Sequence, residues 1–169
     1  MKKKSFARRL LNRVLHSLAR ALPGATSVRP FLHRLRGVRI EGKVFIGDDV
    51  YIENEYPESV ELRDGAQITL RSTIIAHTRG PGRVVLEENT FVGAHCVLVC
   101  SPGSTLTIGE GSVVSANSVV TTDVPPQMLY GCERAKPLMR AAQPLTMDTS
   151  YEAFVAGLHP LKSRARRPD

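Results

Sequence analysis

The chain has 169 residues, 42% of them hydrophobic, enough for one domain with its own core. Aromatic residues make up only 5% and tryptophan is absent, so that core must be built from aliphatic side chains. The formal net charge is +7, but the excess gathers at the ends (Lys2, Lys3, Lys4, Arg8, Arg9, Arg13 and Arg20, then Lys162, Arg164, Arg166 and Arg167), which argues against a nucleic-acid groove along the fold.

Residues 5–22 form an amphipathic helix on pattern. Phe6, Leu10, Leu11, Val14, Leu15, Leu18 and Leu22 recur at three and four, Arg8, Arg9, Arg13, His16 and Arg20 fill the other faces, and Pro23-Gly24 ends the run. Two readings are open: packing beside the first part of the domain, or lying in the interface of an anionic membrane. No apolar run reaches spanning length, and arginines interrupt the N-terminal apolar residues, so a secretory signal is not expected. A second short segment over 25–37 leads into the main body.

From Ile40 to Pro125 one aliphatic column recurs: Ile40, Ile46, Ile52, Leu62, Ile68, Ile74, Leu86, Val92, Leu98, Ile108, Val114 and Val120. Most steps are six residues; two are ten (52 to 62, 98 to 108) and one is twelve (74 to 86). Four places after each aliphatic comes a mostly small or β-branched residue: Val44, Val50, Ala66, Ser72, Thr78, Thr90, Cys96, Ser112, Ser118 and Val124, with Tyr56 and Pro102 as breaks. A period of six fits neither a helix nor a half-exposed strand and marks a parallel β-helix, three sixes to a coil. Three places after the aliphatics stand Asp49, Gly65, His77, Asn89, His95, Gly111, Asn117 and Asp123, residue types that tolerate left-handed backbone at tight corners, beside Lys43, Glu55, Arg71 and Ser101. The expected division is a helical segment over 1–37, the β-helix over 38–125, and 126–169 as loop, short helix and basic tail. Pro125-Pro126 is expected to end the coils, residues 127–147 to return over the last of them, Thr149 or Ser150 to cap a short helix to Leu158, and Ser163–Asp169 to be disordered.

His77 is the first candidate for chemistry. It ends the strand Ile74-Ile75-Ala76 just before an excursion at Gly80-Pro81-Gly82, and imidazole is suited to general-base work near neutrality. The competing reading is a plain corner residue, a position that His95 shares. If residues 80–85 count as a degenerate six, His77 and His95 stack on one corner; if they are an inserted loop, His95 moves to another. Glu55 would precede His77 by one coil. The three cysteines, Cys96, Cys100 and Cys132, are odd in number and lack a C-x-x-C pair, so a reducing cytoplasm is expected and no thiolate metal site. Only two histidines fall in the coils, so metal is not expected either.

The segments Val92-Gly-Ala-His-Cys-Val, Ile108-Gly-Glu-Gly-Ser-Val-Val-Ser-Ala-Asn-Ser-Val-Val-Thr-Thr-Asp-Val-Pro-Pro and Ala135-Lys136-Pro137 resemble the hexapeptide-repeat acyltransferases. The nearest subgroup is that of the maltose, galactoside and xenobiotic O-acetyltransferases and the surface-polysaccharide acetyltransferases. The resemblance covers about 38–140 and is most specific over 108–137. It implies an all-β fold, a left-handed parallel β-helix, forming a cytoplasmic homotrimer with active sites between adjacent prisms. It implies acetyl-CoA as co-substrate and a sugar or glycolipid hydroxyl as acceptor, with direct attack and no acyl-enzyme. His77 takes the place of the family's general base, and Asn54, with Glu55 beside it, that of an acceptor-binding asparagine. Ala94 and Ala116 would offer backbone groups to the pantetheine arm, Thr121 and Thr122 follow along the cofactor, and Lys136 and Arg140 would meet the phosphates. Thr122 stands where relatives usually have Lys, which removes one phosphate contact. The alternatives are a non-catalytic trimeric scaffold and a carbonic-anhydrase-like zinc enzyme of the same shape.

Overall fold

The computed structural model describes residues 5–133 and 136–161. Lys2, Lys3, Lys4, Ala135, Lys162 and the expected tail Ser163–Asp169 lie outside the described residues. The chain divides into two compact units, one ending at Cys132 and one beginning at Glu133.

The first unit opens with α1 (Phe6–Ala21) and α2 (Val28–Arg36). Ser5 caps α1 by accepting from the Arg8 amide, and Gly37, at φ 110°, closes α2 in a left-handed conformation suited to glycine. Four coils follow, each of three strands: β1 (Arg39–Ile40), β2 (Phe45–Ile46) and β3 (Tyr51–Ile52), then β4 (Val60–Leu62), β5 (Gln67–Ile68) and β6 (Thr73–Ile75). Next come β7 (Arg83–Leu86), β8 (Phe91–Val92) and β9 (Val97–Val99), then β10 (Thr105–Ile108), β11 (Val113–Val114) and β12 (Val119–Val120). Stacking is parallel on all three faces: β1-β4-β7-β10, β2-β5-β8-β11 and β3-β6-β9-β12. The register aligns the aliphatic column, so Ile40, Leu62, Leu86 and Ile108 form one ladder, Ile46, Ile68, Val92 and Val114 the second, and Ile52, Ile74, Leu98 and Val120 the third. Apart from the partly buried Ile40 these side chains are buried, as are the small residues of the second column except Thr78.

The steps longer than six all fall at one corner, between the third face and the first. There the chain makes an excursion and returns with a further inward residue two places before the ladder, Val60, Val84 and Leu106; Val38 takes the same place where the chain enters coil 1 from α2, and all four are buried. Val84 pairs with Val60 and Leu106 with Val84, so residues 80–85 are not a degenerate six. His95 therefore lies on a different corner from His77.

The ladder also runs past Pro125-Pro126. Val124 bridges Ile108, and β13 (Leu129–Tyr130) adds a fifth rung beside β11 in register. The prolines occupy a corner, where no ladder hydrogen bond is asked of their nitrogens.

Coil 1 has a stacking deficit. In later coils the carbonyl of each ladder aliphatic accepts from the coil before, as Leu62 does from the Glu41 amide, Ile68 from Gly47 and Ile74 from Glu53. Ile40, Ile46 and Ile52 have no coil before them. Three arginines supply the missing donors. Arg34 Nε donates to the Ile40 carbonyl at 3.3 Å, Arg29 Nη1 to Ile46 at 3.1 Å and Arg36 Nη2 to Ile52 at 3.1 Å. The α1–α2 layer thus closes the open edge of the prism with guanidinium groups, satisfying backbone that burial would otherwise strand.

The second unit holds β14 (Met139–Ala141), α3 (Tyr151–Ala156), which Ser150 caps, and β15 (Leu158–Pro160), antiparallel to β14.

Candidate active site

The wide corner carries the site. After β3 the chain runs through Glu53, Asn54, Glu55 and Tyr56 into a short 3-10 turn at Pro57–Ser59; one coil later it runs from Ile75 through Ala76 to His77 and the loop that returns at Arg83. His77 and Pro81 form an antiparallel bridge across that loop, and a Cβ on Gly82 would lie 2.6 Å from the Ala76 carbonyl oxygen, so the close approach requires glycine.

One buried carboxylate fastens both excursions. Glu53 Oε2 accepts from the amides of Ala76 (3.1 Å) and His77 (3.0 Å), and Oε1 from those of Glu55 (2.9 Å) and Tyr56 (3.3 Å). Hydrogen bonds to a carboxylate are stronger than neutral ones, so Glu53 fixes the backbone on which His77 stands. The half-buried His77 ring meets Tyr56 edge to face, centroids 4.9 Å apart. Among the described residues neither ring nitrogen of His77 forms a hydrogen bond.

Behind this corner lies a buried polar cluster joining α1 and α2 to coil 1. Arg36, 1% exposed, donates to the Glu53 carbonyl at 2.7 Å, to His33 Nδ1 at 2.9 Å and to Asn12 Oδ1 at 3.3 Å, and Asn12 in turn donates to the Asn54 carbonyl. Burial lowers the Arg36 pKa to about 10, which leaves it charged at neutral pH. Burial, and then the positive charges of Arg36 and Arg20, push His16 down to about 3; burial and Arg36 push His33 the same way, so both rings are neutral. His16 packs edge-on against Tyr51, centroids 4.7 Å apart. Burial raises the Tyr51 phenol above its ordinary range.

Arg13, Arg20, Tyr51, Glu53, Asn54, Glu55, Thr73, Ile75 and His77 enclose an open cleft of about 560 Å³. The expected acceptor residues Asn54 and Glu55 are therefore beside His77. Glu55 pairs with Arg9 at 3.2 Å.

His95 is explained without chemistry. It stands at the narrow corner with Asp49, Arg71 and Asn117, one coil each, and all four have φ of 54–62°. At the wide corner none of Glu55, His77, Ser101 or Asp123 is left-handed, against the expectation for His77 and Asp123. The two histidines thus occupy their columns for different reasons, and their separation removes them as a shared pair of metal ligands.

Ala94 and Ala116 stack on the His95 corner, whereas Thr121 and Thr122 follow β12 at the His77 corner, in a shallow recess with Cys100, Ser101, Ser104, Thr105, Leu106 and Asp123. The two groups flank the third face from opposite edges within one chain. Lys136 and Arg140 belong to the second unit; Lys136 pairs with Glu133 at 2.9 Å, and Arg140 lies in β14 opposite His159. Glu53 was not among the expected residues.

A family model, the hexapeptide repeat of succinyl-transferase, matches residues 83–122, which span coils 3 and 4. A protein of Staphylococcus aureus (strain COL) that carries the provisional name of acetyltransferase is 48% identical over 48 residues, 28% of this chain and 22% of that protein. One of Schizosaccharomyces pombe, with the same provisional name, is 40% identical over 55 residues, 32% of this chain and 25% of the other. The chain thus matches about a quarter of the length of these relatives. A solved galactoside acetyltransferase in complex with coenzyme A superposes with a TM-score of 0.54 at 18% identity, over 75% of this chain and 76% of that one. That likeness identifies the coils as a left-handed parallel β-helix.

Proposed function

We infer that this chain, which belongs to the hexapeptide-repeat acyltransferase family, transfers an acetyl group from acetyl-CoA to a hydroxyl of a sugar or glycolipid precursor. The observation that carries the reading is His77, with both ring nitrogens unengaged among the described residues, on backbone held by Glu53 and facing a cleft it shares with Asn54 and Glu55. Acetyl-CoA, as co-substrate, supplies an activated thioester. His77 removes the proton of the acceptor hydroxyl as that oxygen attacks the acetyl carbonyl; the carbon–sulfur bond breaks, and the proton passes to the departing thiolate, which leaves as free coenzyme A. Attack is direct, so no protein nucleophile is required. Asn54 and Glu55 position the acceptor, with backbone N–H groups available to the developing oxyanion.

Coenzyme A runs along Ala94, Ala116, Thr121 and Thr122. The chain acts as a homotrimer. Ala94 and Ala116 lie at the opposite edge of the third face from Thr121 and Thr122, which favours a groove completed by a neighbouring copy. Galactoside acetyltransferase, of like fold, holds coenzyme A, which supports the donor. Among the described residues no helix is long and apolar enough to cross a membrane, and the reading places the protein in the cytoplasm, with peripheral contact through residues 5–22 at the inner membrane face.

The test is transfer of label from acetyl-CoA to a panel of nucleotide sugars, oligosaccharides and lipid-linked glycans. Ester-bound label on one class is the expected result. No transfer to any class, with coenzyme A failing to bind, would remove the reading.

A further inference from the structure

The outward surface of α1 and α2 is not used by the transfer chemistry, and it is built the wrong way round for a helix that only packs. α1 buries Asn12, His16 and Ala19, while Phe6, Leu10, Val14 and Leu18 are 81, 55, 48 and 41% exposed. α2 buries Arg29, His33 and Arg36 together with Pro30 and Leu32, and leaves Val28, Phe31 and Leu35 40, 56 and 47% exposed. Helices of water-soluble domains turn their apolar stripe inward. Single exposed apolar residues are ordinary; a face shared by two packed helices marks an interaction surface.

Charge identifies the occupant. The first 40 residues hold eleven Lys and Arg and no Asp or Glu. Carboxylates of coil 1 neutralise some of them, Glu55 with Arg9, Asp49 with Arg20 and Asp48 with Arg29. Among the described residues Arg8, Arg13 and Arg34 have no carboxylate partner; Arg8 and Arg34 donate only to main-chain carbonyls. An apolar face flanked by uncompensated cations complements an anionic lipid surface. A second copy on the same face would bring the same cations against it.

The face also leads to the site. Phe6 and Leu10 line a recess of about 240 Å³ with Arg9, Asn12, Arg13, Asn54 and Glu55. Arg13, Asn54 and Glu55 are also walls of the His77 cleft. We propose that the outward α1–α2 face docks on an anionic bilayer and that the acceptor is a lipid-linked glycan, its head group passing Arg13 to reach His77. The docking is independent of the transfer reading; the acceptor class rests on it.

Flotation of the full chain with vesicles tests the docking. Vesicles containing phosphatidylglycerol should carry the protein up the gradient, pure phosphatidylcholine vesicles should carry far less, and high salt should weaken the association. The double variant Val14→Gln, Phe31→Gln, both exposed and outside the cleft, should lose at least tenfold in partitioning with unchanged circular dichroism and unchanged transfer to a water-soluble acceptor. Wild-type protein left in the lipid-free fractions would overturn the proposal. So would a double variant that floats as before but falls in sedimentation mass, which would give the face to a second copy. For the acceptor class, the same glycan should be acetylated faster on a lipid carrier in vesicles than free in solution; equal rates from a protein that floats would overturn that part alone.

Discussion

Coil 2 and the α1–α2 layer lie on either side of coil 1, and they are held by opposite chemistry. Coil 2 stacks Leu62, Ile68 and Ile74 between their equivalents above and below, a dry aliphatic ladder; its buried charge, Glu61, is paired with Arg63 and Arg83. The helical layer buries Arg29, Arg36, Asn12, His16 and His33 beside Ala19, Pro30 and Leu32, and exposes an apolar face flanked by arginines. The difference follows from position. The ladder strands of an internal coil find their backbone partners in the coils above and below, and their side chains need only shape. The first coil lacks a neighbour, and the layer that covers it must bring hydrogen-bond donors, which costs buried charge and ties the layer to pH.

The comparison can be broken by substitution. Ile74→Ala, between Ile52 and Leu98, should cost about 3–4 kcal/mol in denaturant unfolding, because the coils cannot collapse onto the cavity. A loss below about 1 kcal/mol would contradict a close-packed ladder. Arg36→Met strands the carbonyls of Ile52 and Glu53 and should cost about 3 kcal/mol. Hydrogen exchange should rise over residues 6–36 and stay low in coil 3; uniform loss across both would remove the distinction between them.

Mild acid should sharpen it. His16 and His33 are neutral when folded and protonate near their ordinary pKa when unfolded, so the unfolded state takes up the protons first. Their contribution is intact above about pH 6.5 and declines as pH falls, by about 1.4 kcal/mol per unit for His16 down to its folded value of about 3, with His33 acting in the same sense. Thermal unfolding at pH 7 and 5.5 should show this loss, and His16→Phe should reduce it. Equal stability at both values would place these rings in water. The smallest effect is expected of Val14→Gln, whose side chain faces outward and should change stability by no more than about 0.5 kcal/mol.

Much of this was legible beforehand. The aliphatic column named the rungs of the four coils, because an interior residue must be aliphatic whatever its neighbours do; it stopped short of the fifth rung at β13, where Tyr130 continues the ladder beyond Pro125-Pro126. The twelve-residue step was ambiguous, since a period of six does not say whether six further residues form a side or a loop; the inward column Val38, Val60, Val84 and Leu106 decides it, and it recurs once per coil rather than once per six. The resemblance points to Asn54 and Glu55, which line the His77 cleft, but the neighbouring Glu53, which turns inward and bonds only main-chain amides, carries no mark in its identity. The helical period of residues 5–22 separates two faces without saying which one docks. Arg29, Arg34 and Arg36 could be counted as charge, but their carbonyl partners depend on which coil comes first.

The most direct measurement is thiol release from acetyl-CoA with the accepted sugar, comparing wild type with His77→Ala and His95→Asn, the latter chosen because asparagine tolerates the φ of 57° at that corner. His77→Ala should fall by about 10²–10⁴-fold in kcat/KM while His95→Asn stays near wild type. Full activity in His77→Ala would contradict the assignment of His77 as the base.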